Sequence, residues 1–69
     1  MRWIAYRLRR WPKIDGAPNR TELLRALSVM THRPVTATWF AHQVGWKVVA
    51  ARAYLDELVQ HGTATKDLH

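Results

Sequence analysis

Sixty-nine residues suffice for one small domain, and a chain of this size buries only about 60% of the surface that its unfolded form exposes. Hydrophobic residues make up 48% of the chain and charged residues 23%, a composition that is typical of globular proteins and excludes wholesale disorder. The absence of cysteine excludes disulfides, thiolate catalysis and zinc fingers built on cysteine. The net charge of +6 favours a polyanionic partner.

Nothing in the sequence predicts a membrane span, a metal site or an enzyme. No apolar run approaches the roughly 18 residues that a span needs, and arginines interrupt the N-terminal stretch where a signal peptide would be apolar. The four histidines lack the short spacings of zinc ligands. Asp56 and Glu57 are neighbours that point in different directions on a helix, so we expect them to solvate its exposed side. We therefore expect a cytoplasmic protein without a cofactor and without catalytic activity.

The positive charge is concentrated near the N-terminus. Residues 1–20 carry six basic side chains and one acidic side chain, whereas residues 21–69 carry five basic and four acidic ones. We accordingly divide the chain into a basic aromatic arm with its linker, residues 1–18, and a domain, residues 19–69. Prolines and a glycine punctuate the linker.

The secondary structure of the arm has two interpretations. Met1, Ile4, Leu8 and Trp11 share one face of a helix, but Ile4, Tyr6 and Leu8 also alternate as in a strand. We favour the helix. Interleaved arginines and aromatic residues suit a phosphate backbone, although they would also suit an anionic membrane surface or simply a solvated face. The arm residues that we expect to bind nucleic acid are Arg7, Arg9 and Arg10.

Three helices follow the arm. The first is predicted over about 20–31, with Asn19 as N-cap and Glu22 completing a capping box. Thr36 is expected to cap a second, short helix that ends near Gln43. A third helix is predicted over about 46–61 after a turn at Val44 and Gly45, and Gly62 supplies the left-handed residue that ends it.

This pattern resembles the winged helix-turn-helix superfamily of DNA-binding proteins. The residues that carry the likeness are Val35-Thr36-Ala37, Phe40-Ala41, Val44-Gly45 and Leu55-Asp56-Glu57-Leu58-Val59-Gln60-His61-Gly62. The resemblance implies a mainly α-helical fold with a three-helix core, in which Ala41 and Gly45 allow a tight helix crossing and Val48, Ala51 and Leu55 fill the wedge. Few residues follow Gly62, so we expect a truncated wing of one strand paired with the segment Pro34-Val35.

The resemblance implies that the outward side of the third helix enters the major groove. Two of its residues, Lys47 and Arg52, can donate to guanine or phosphate, and Lys66 would contact phosphate from the wing. The remaining outward residues form an apolar stripe, which consists of Trp46, Val49, Ala50 and Ala53. That stripe could meet a partner protein or a second copy of the chain, be covered by the arm, or face thymine methyl groups.

Two functions are therefore expected. The first is a small protein that binds double-stranded DNA and acts by site occupancy, as a transcriptional regulator or an excisionase-like factor of a mobile element. The second is a winged-helix protein-interaction module whose apolar stripe docks on a partner, for example a phage-type inhibitor of host nucleic-acid machinery.

Overall fold

The computed structural model describes residues 3–68 and has three helices and a two-stranded antiparallel sheet. In chain order, the elements are β1 (Ile4–Leu8), α1 (Arg20–His32), α2 (Ala37–Val44), α3 (Val48–Gln60) and β2 (Ala64–Leu68). The expectation of a mainly α-helical domain with three helices is confirmed. Met1, Arg2 and His69 are outside the described residues, so the predicted place of Met1 on the helical face of the arm lies outside them as well. Within residues 3–68, no helix is both long enough and apolar enough to cross a membrane.

The prediction of a helix in the N-terminal arm is wrong, because Ile4–Leu8 forms a strand. Two partners fix this conformation. β2 pairs with β1 along its whole length, and Tyr6 exchanges both main-chain hydrogen bonds with Val35, at 2.7 and 2.9 Å. Tyr6 and Leu8 are buried in the core, so the segment predicted as an arm packs with the helices as part of one domain.

The pairing predicted for the strand after Gly62 is also wrong. That strand exists as β2, but it pairs with β1, from Ile4 opposite Leu68 to Leu8 opposite Ala64. Val35 bridges to Tyr6 on the other side of β1. β1 therefore lies between Val35 and β2 and takes the place in which the C-terminal strand was expected to meet Val35.

The start of α1 is held by a contact that differs from a capping box. Asn19 lies in the left-handed region, at φ 55°, and its side chain makes no cap hydrogen bond. Its Nδ2 instead donates to the main-chain oxygen of Val44 at 2.7 Å, which ties the start of α1 to the end of α2. The capping box with Glu22 is therefore wrong. The buried side of α1 consists of Leu23, Ala26, Leu27 and Met30.

The two helices α2 and α3 are set by local signals that the sequence shows plainly. Thr36 caps α2, since its Oγ1 accepts a hydrogen bond from the N–H of Trp39 at 3.1 Å. Gly45 ends α2 at φ 71°, and Gly62 follows α3 at φ 73°; both turns are as predicted. α3 begins at Val48 and not at residue 46, because the N–H of Trp46 bonds back to the oxygen of Ala41.

Candidate nucleic-acid interface

α3 has one buried side and one side that no element of the domain covers. Ala51, Leu55 and Leu58 are its buried residues. Val49 is 74% exposed and Val48 39% exposed, so Val48 lies at the border of the core and does not fill the wedge as expected. The uncovered side, which we call the α3 face, consists of Lys47, Val49, Ala50, Arg52 and Ala53, all of them exposed.

Trp46 does not belong to the α3 face. It is half-buried and packs edge-on against Phe40 and Tyr54, with ring centroids 5.9 and 5.3 Å away. The predicted apolar stripe therefore loses its largest member, because the indole is used to join α2 to α3. What remains exposed of the stripe is small: Val49, Ala50 and Ala53.

The charges along α3 run against the preference of a helix. An N-terminus favours acidic side chains and a C-terminus favours basic ones, because of the aligned peptide dipoles. The first turn of α3 has no acid and its last turn has no base. Lys47 occupies the N-cap position without a side-chain cap hydrogen bond, and Arg52 follows one turn later. The acids Asp56 and Glu57 lie in the second half of the helix.

Asp56 links three elements. Its Oδ1 accepts a hydrogen bond from the Tyr6 hydroxyl at 2.7 Å and another from Lys66 Nζ at 3.2 Å. The bond from Tyr6 and the contacts with Lys66 lower the pKa of Asp56 against the opposing effect of desolvation, and burial together with the bond to Asp56 raises the pKa of Tyr6 to about 12. The expectation that Asp56 only solvates α3 is wrong. Lys66, predicted to contact phosphate, is ion-paired with it.

A groove lies beside the α3 face, between the open end of the sheet and the start of α2. Its volume is about 440 Å³, and Arg52 reaches it from α3. The sheet contributes Ile4 and Leu68, and Trp3 lies just before β1; the three side chains are 43, 61 and 51% exposed, respectively. Trp3 is not among the binding residues predicted from the sequence. The one signal for it was an aromatic residue in a basic segment, which fitted a core position equally well.

The three arginines predicted from the arm lie elsewhere. Arg7, Arg9 and Arg10 are exposed, and the guanidinium of Arg7 donates to the main-chain oxygen of His32 at 3.5 Å. The main-chain N–H groups of Arg9 and Arg10 bond to Thr63, just beyond the C-terminal end of α3. α3 has 13 residues and is about 20 Å long. The structure therefore places Lys47 and Arg52 in the N-terminal half of α3 and leaves Arg9 and Arg10 near its C-terminal end.

Neither a metal-binding cluster nor a similar known protein gives further information about the function. In the part of the chain that the structure describes, no three or more His, Asp or Glu side chains come together to hold a metal ion. No protein-family model, curated protein or solved structure matches the chain.

Proposed function

We propose that the chain binds double-stranded DNA through the α3 face and acts by occupying its site, as a winged helix-turn-helix regulator or an excisionase-like factor. The observation that carries the proposal is the reversed charge order of α3. A cation at the N-terminus of a helix costs it stability, typically about 0.3–1 kcal/mol, and Lys47 occupies the N-cap position of α3. Lys47 and Arg52 are exposed, and an anionic partner would recover that cost.

The arrangement of the elements supports the winged-helix part of the proposal. Ala41 is 2% exposed where α2 meets the rest of the core, and Gly45 makes the turn toward α3 with a left-handed conformation. The sheet lies beside these helices, with β1 between Val35 and β2. In this proposal, β1 and β2 together form the wing.

The side chains of the α3 face fit a major groove. Val49, Ala50 and Ala53 are short, so a duplex could approach the helix closely, and their methyl groups match the methyl group of thymine. Arg52 can donate two hydrogen bonds to guanine, and Lys47 can contact phosphate. In this proposal, Arg52 provides base preference and Lys47 provides affinity.

A salt titration of binding to duplex DNA tests the proposal. Each neutralised phosphate contributes about −0.9 to the slope of log affinity against log salt, so contacts from Lys47 and Arg52 should give a slope of about −1 to −2. Arg52→Ala should weaken binding and relax sequence preference, whereas Lys47→Ala should weaken binding to all sequences alike. Arg25→Ala is the matched control, because Arg25 is exposed on α1, outside the α3 face, and its loss removes the same charge.

The proposal fails if no duplex is bound at low salt. It also fails if Arg25→Ala weakens binding as much as Arg52→Ala, because the α3 face would then have no special role.

A second function is favoured by one observation, the 74% exposure of Val49. An apolar side chain so exposed beside Ala50 and Ala53 suits a protein partner. The alternative proposal is therefore a protein-interaction module, such as a phage-type inhibitor of host nucleic-acid machinery, or a dimer formed through α3. Val49→Asp should then abolish the protein complex, or halve the mass measured in solution if the partner is a second copy. Loss of duplex binding without a change in mass would instead support the first function.

A further inference from the structure

We infer that the groove at the open end of the sheet binds an unpaired nucleotide of DNA, with its base stacked on Trp3 and its phosphate close to the positive charge of Arg52. This inference deepens the proposed function and rests on it. It adds a preference for duplex with a single-stranded tail over blunt duplex. The chemistry of the groove lining identifies the ligand.

The lining combines an aromatic surface, aliphatic surface and positive charge. Trp3 is 51% exposed, and Leu68 beside it is 61% exposed. A nucleotide base would cover such a surface without needing a particular sequence, because every base has a stacking face. Among the described residues that line the groove, Arg52 is the one with a charged side chain, so the ligand should be anionic where it meets α3.

The size and the position of the groove also fit one nucleotide. A volume of about 440 Å³ lies within the range of about 300–1,000 Å³ that small-molecule sites occupy. Arg52 belongs to the α3 face and to the groove at once. A strand that leaves the duplex beside Arg52 therefore lies next to the groove.

The test compares a blunt duplex with the same duplex carrying a short single-stranded thymidine tail, attached in turn to each strand end. For the wild-type protein, one of the tails should raise the affinity by about tenfold, within the range that one stacked base contributes. Trp3→Ala should remove this gain and leave the affinity for the blunt duplex unchanged. Trp3→Phe should retain part of the gain, because an aromatic ring remains.

Trp11→Ala is the matched control. Trp11 is 55% exposed, nearly as much as Trp3, but it lies in the segment after β1, outside the groove. This variant should keep the full gain from the tail. The inference is overturned if neither tail adds affinity, if Trp11→Ala loses the gain as well, or if Trp3→Ala weakens the binding of blunt and tailed duplex equally.

The two proposals fail in different ways. If the blunt duplex binds and the tails add nothing, the groove proposal is wrong and the α3 face stands. If the blunt duplex does not bind while a tail binds in a Trp3-dependent manner, the groove stands and the proposed duplex binding is wrong.

Discussion

The N-cap position of α3 allows a substitution that should stabilise the protein while impairing its proposed function. Lys47 has φ −68° and ψ 147°, in the extended region, and makes no side-chain cap hydrogen bond. This backbone geometry is what a serine N-cap requires, and its hydroxyl would accept a hydrogen bond from an unpaired N–H group in the first turn. We therefore expect Lys47→Ser to add a cap that the wild-type chain lacks.

The stability gain can be worked from two contributions. A serine cap is worth about 1 kcal/mol, and removing a cation from the helix N-terminus adds a few tenths more, at the low end of about 0.3–1 kcal/mol. For a domain of this size, 1 kcal/mol raises the melting temperature by about 4–8 °C. Duplex affinity should fall at the same time, with the salt slope shallower by about 0.9 because one phosphate contact is lost.

Thermal unfolding followed by circular dichroism and the salt titration measure the two effects. Lys13→Ser is the matched control, because Lys13 is exposed in the segment between β1 and α1 and its loss removes the same charge without creating a cap. It should leave the melting temperature unchanged. The reasoning is refuted if Lys47→Ser fails to stabilise the protein, or if it stabilises the protein and binds duplex DNA as the wild type does.

Three further predictions concern contacts that stabilise the folded domain. Asp56 has a lowered pKa, so its stabilising contribution is present above about pH 4 and is lost as the pH falls through the folded-state value; urea unfolding should show a flatter acid profile for Asp56→Asn than for the wild type. Asn19→Ala loses a 2.7 Å hydrogen bond and places alanine at φ 55°, so it should cost about 2 kcal/mol in thermal unfolding. Leu27 is fully buried whereas Leu24 is 37% exposed, so Leu27→Ala should cost about 2–5 kcal/mol and Leu24→Ala much less.

Each of these predictions has an outcome that contradicts it. An unchanged acid profile in Asp56→Asn would mean that the bond from Tyr6 adds no pH-dependent stability. Asn19→Gly removes the bond to Val44 without backbone strain, so it should cost less than Asn19→Ala; equal losses would exclude strain as part of the effect. Similar losses for the two leucine variants would contradict the burial of the core side of α1.

The helices were predictable because their signals are local. The Oγ1 atom of Thr36 accepts a hydrogen bond from an N–H group only three residues later in the chain. Gly45 and Gly62 have the left-handed conformation that commonly ends a helix. Each of these positions depends on neighbours within a few residues. The spacing of Leu23, Leu24, Leu27 and Met30 likewise predicts an apolar side of α1. Three of these residues are buried, whereas Leu24 is 37% exposed.

The strand β1 and the layout of the candidate interface could not be predicted from the sequence, because both depend on contacts between residues that are far apart in the chain. In β1, Tyr6 is held by Val35 on one side and lies opposite Lys66 on the other, and no periodicity within residues 1–18 records those partners. Asn19 lies at the N-cap position of α1, as the sequence predicts, but the sequence does not show that its side chain bonds to the distant Val44. The sequence singled out Lys47 and Arg52, but only the fold shows that Arg9 and Arg10 lie near the opposite end of α3.

The central claim is that the α3 face meets DNA, and amide chemical shifts test it residue by residue. During a titration with duplex DNA at low salt, we expect the largest changes over residues 47–53, with smaller ones near Thr38 at the start of α2. Changes confined to the segment from Arg7 to Arg10, or no changes at all, would contradict the claim.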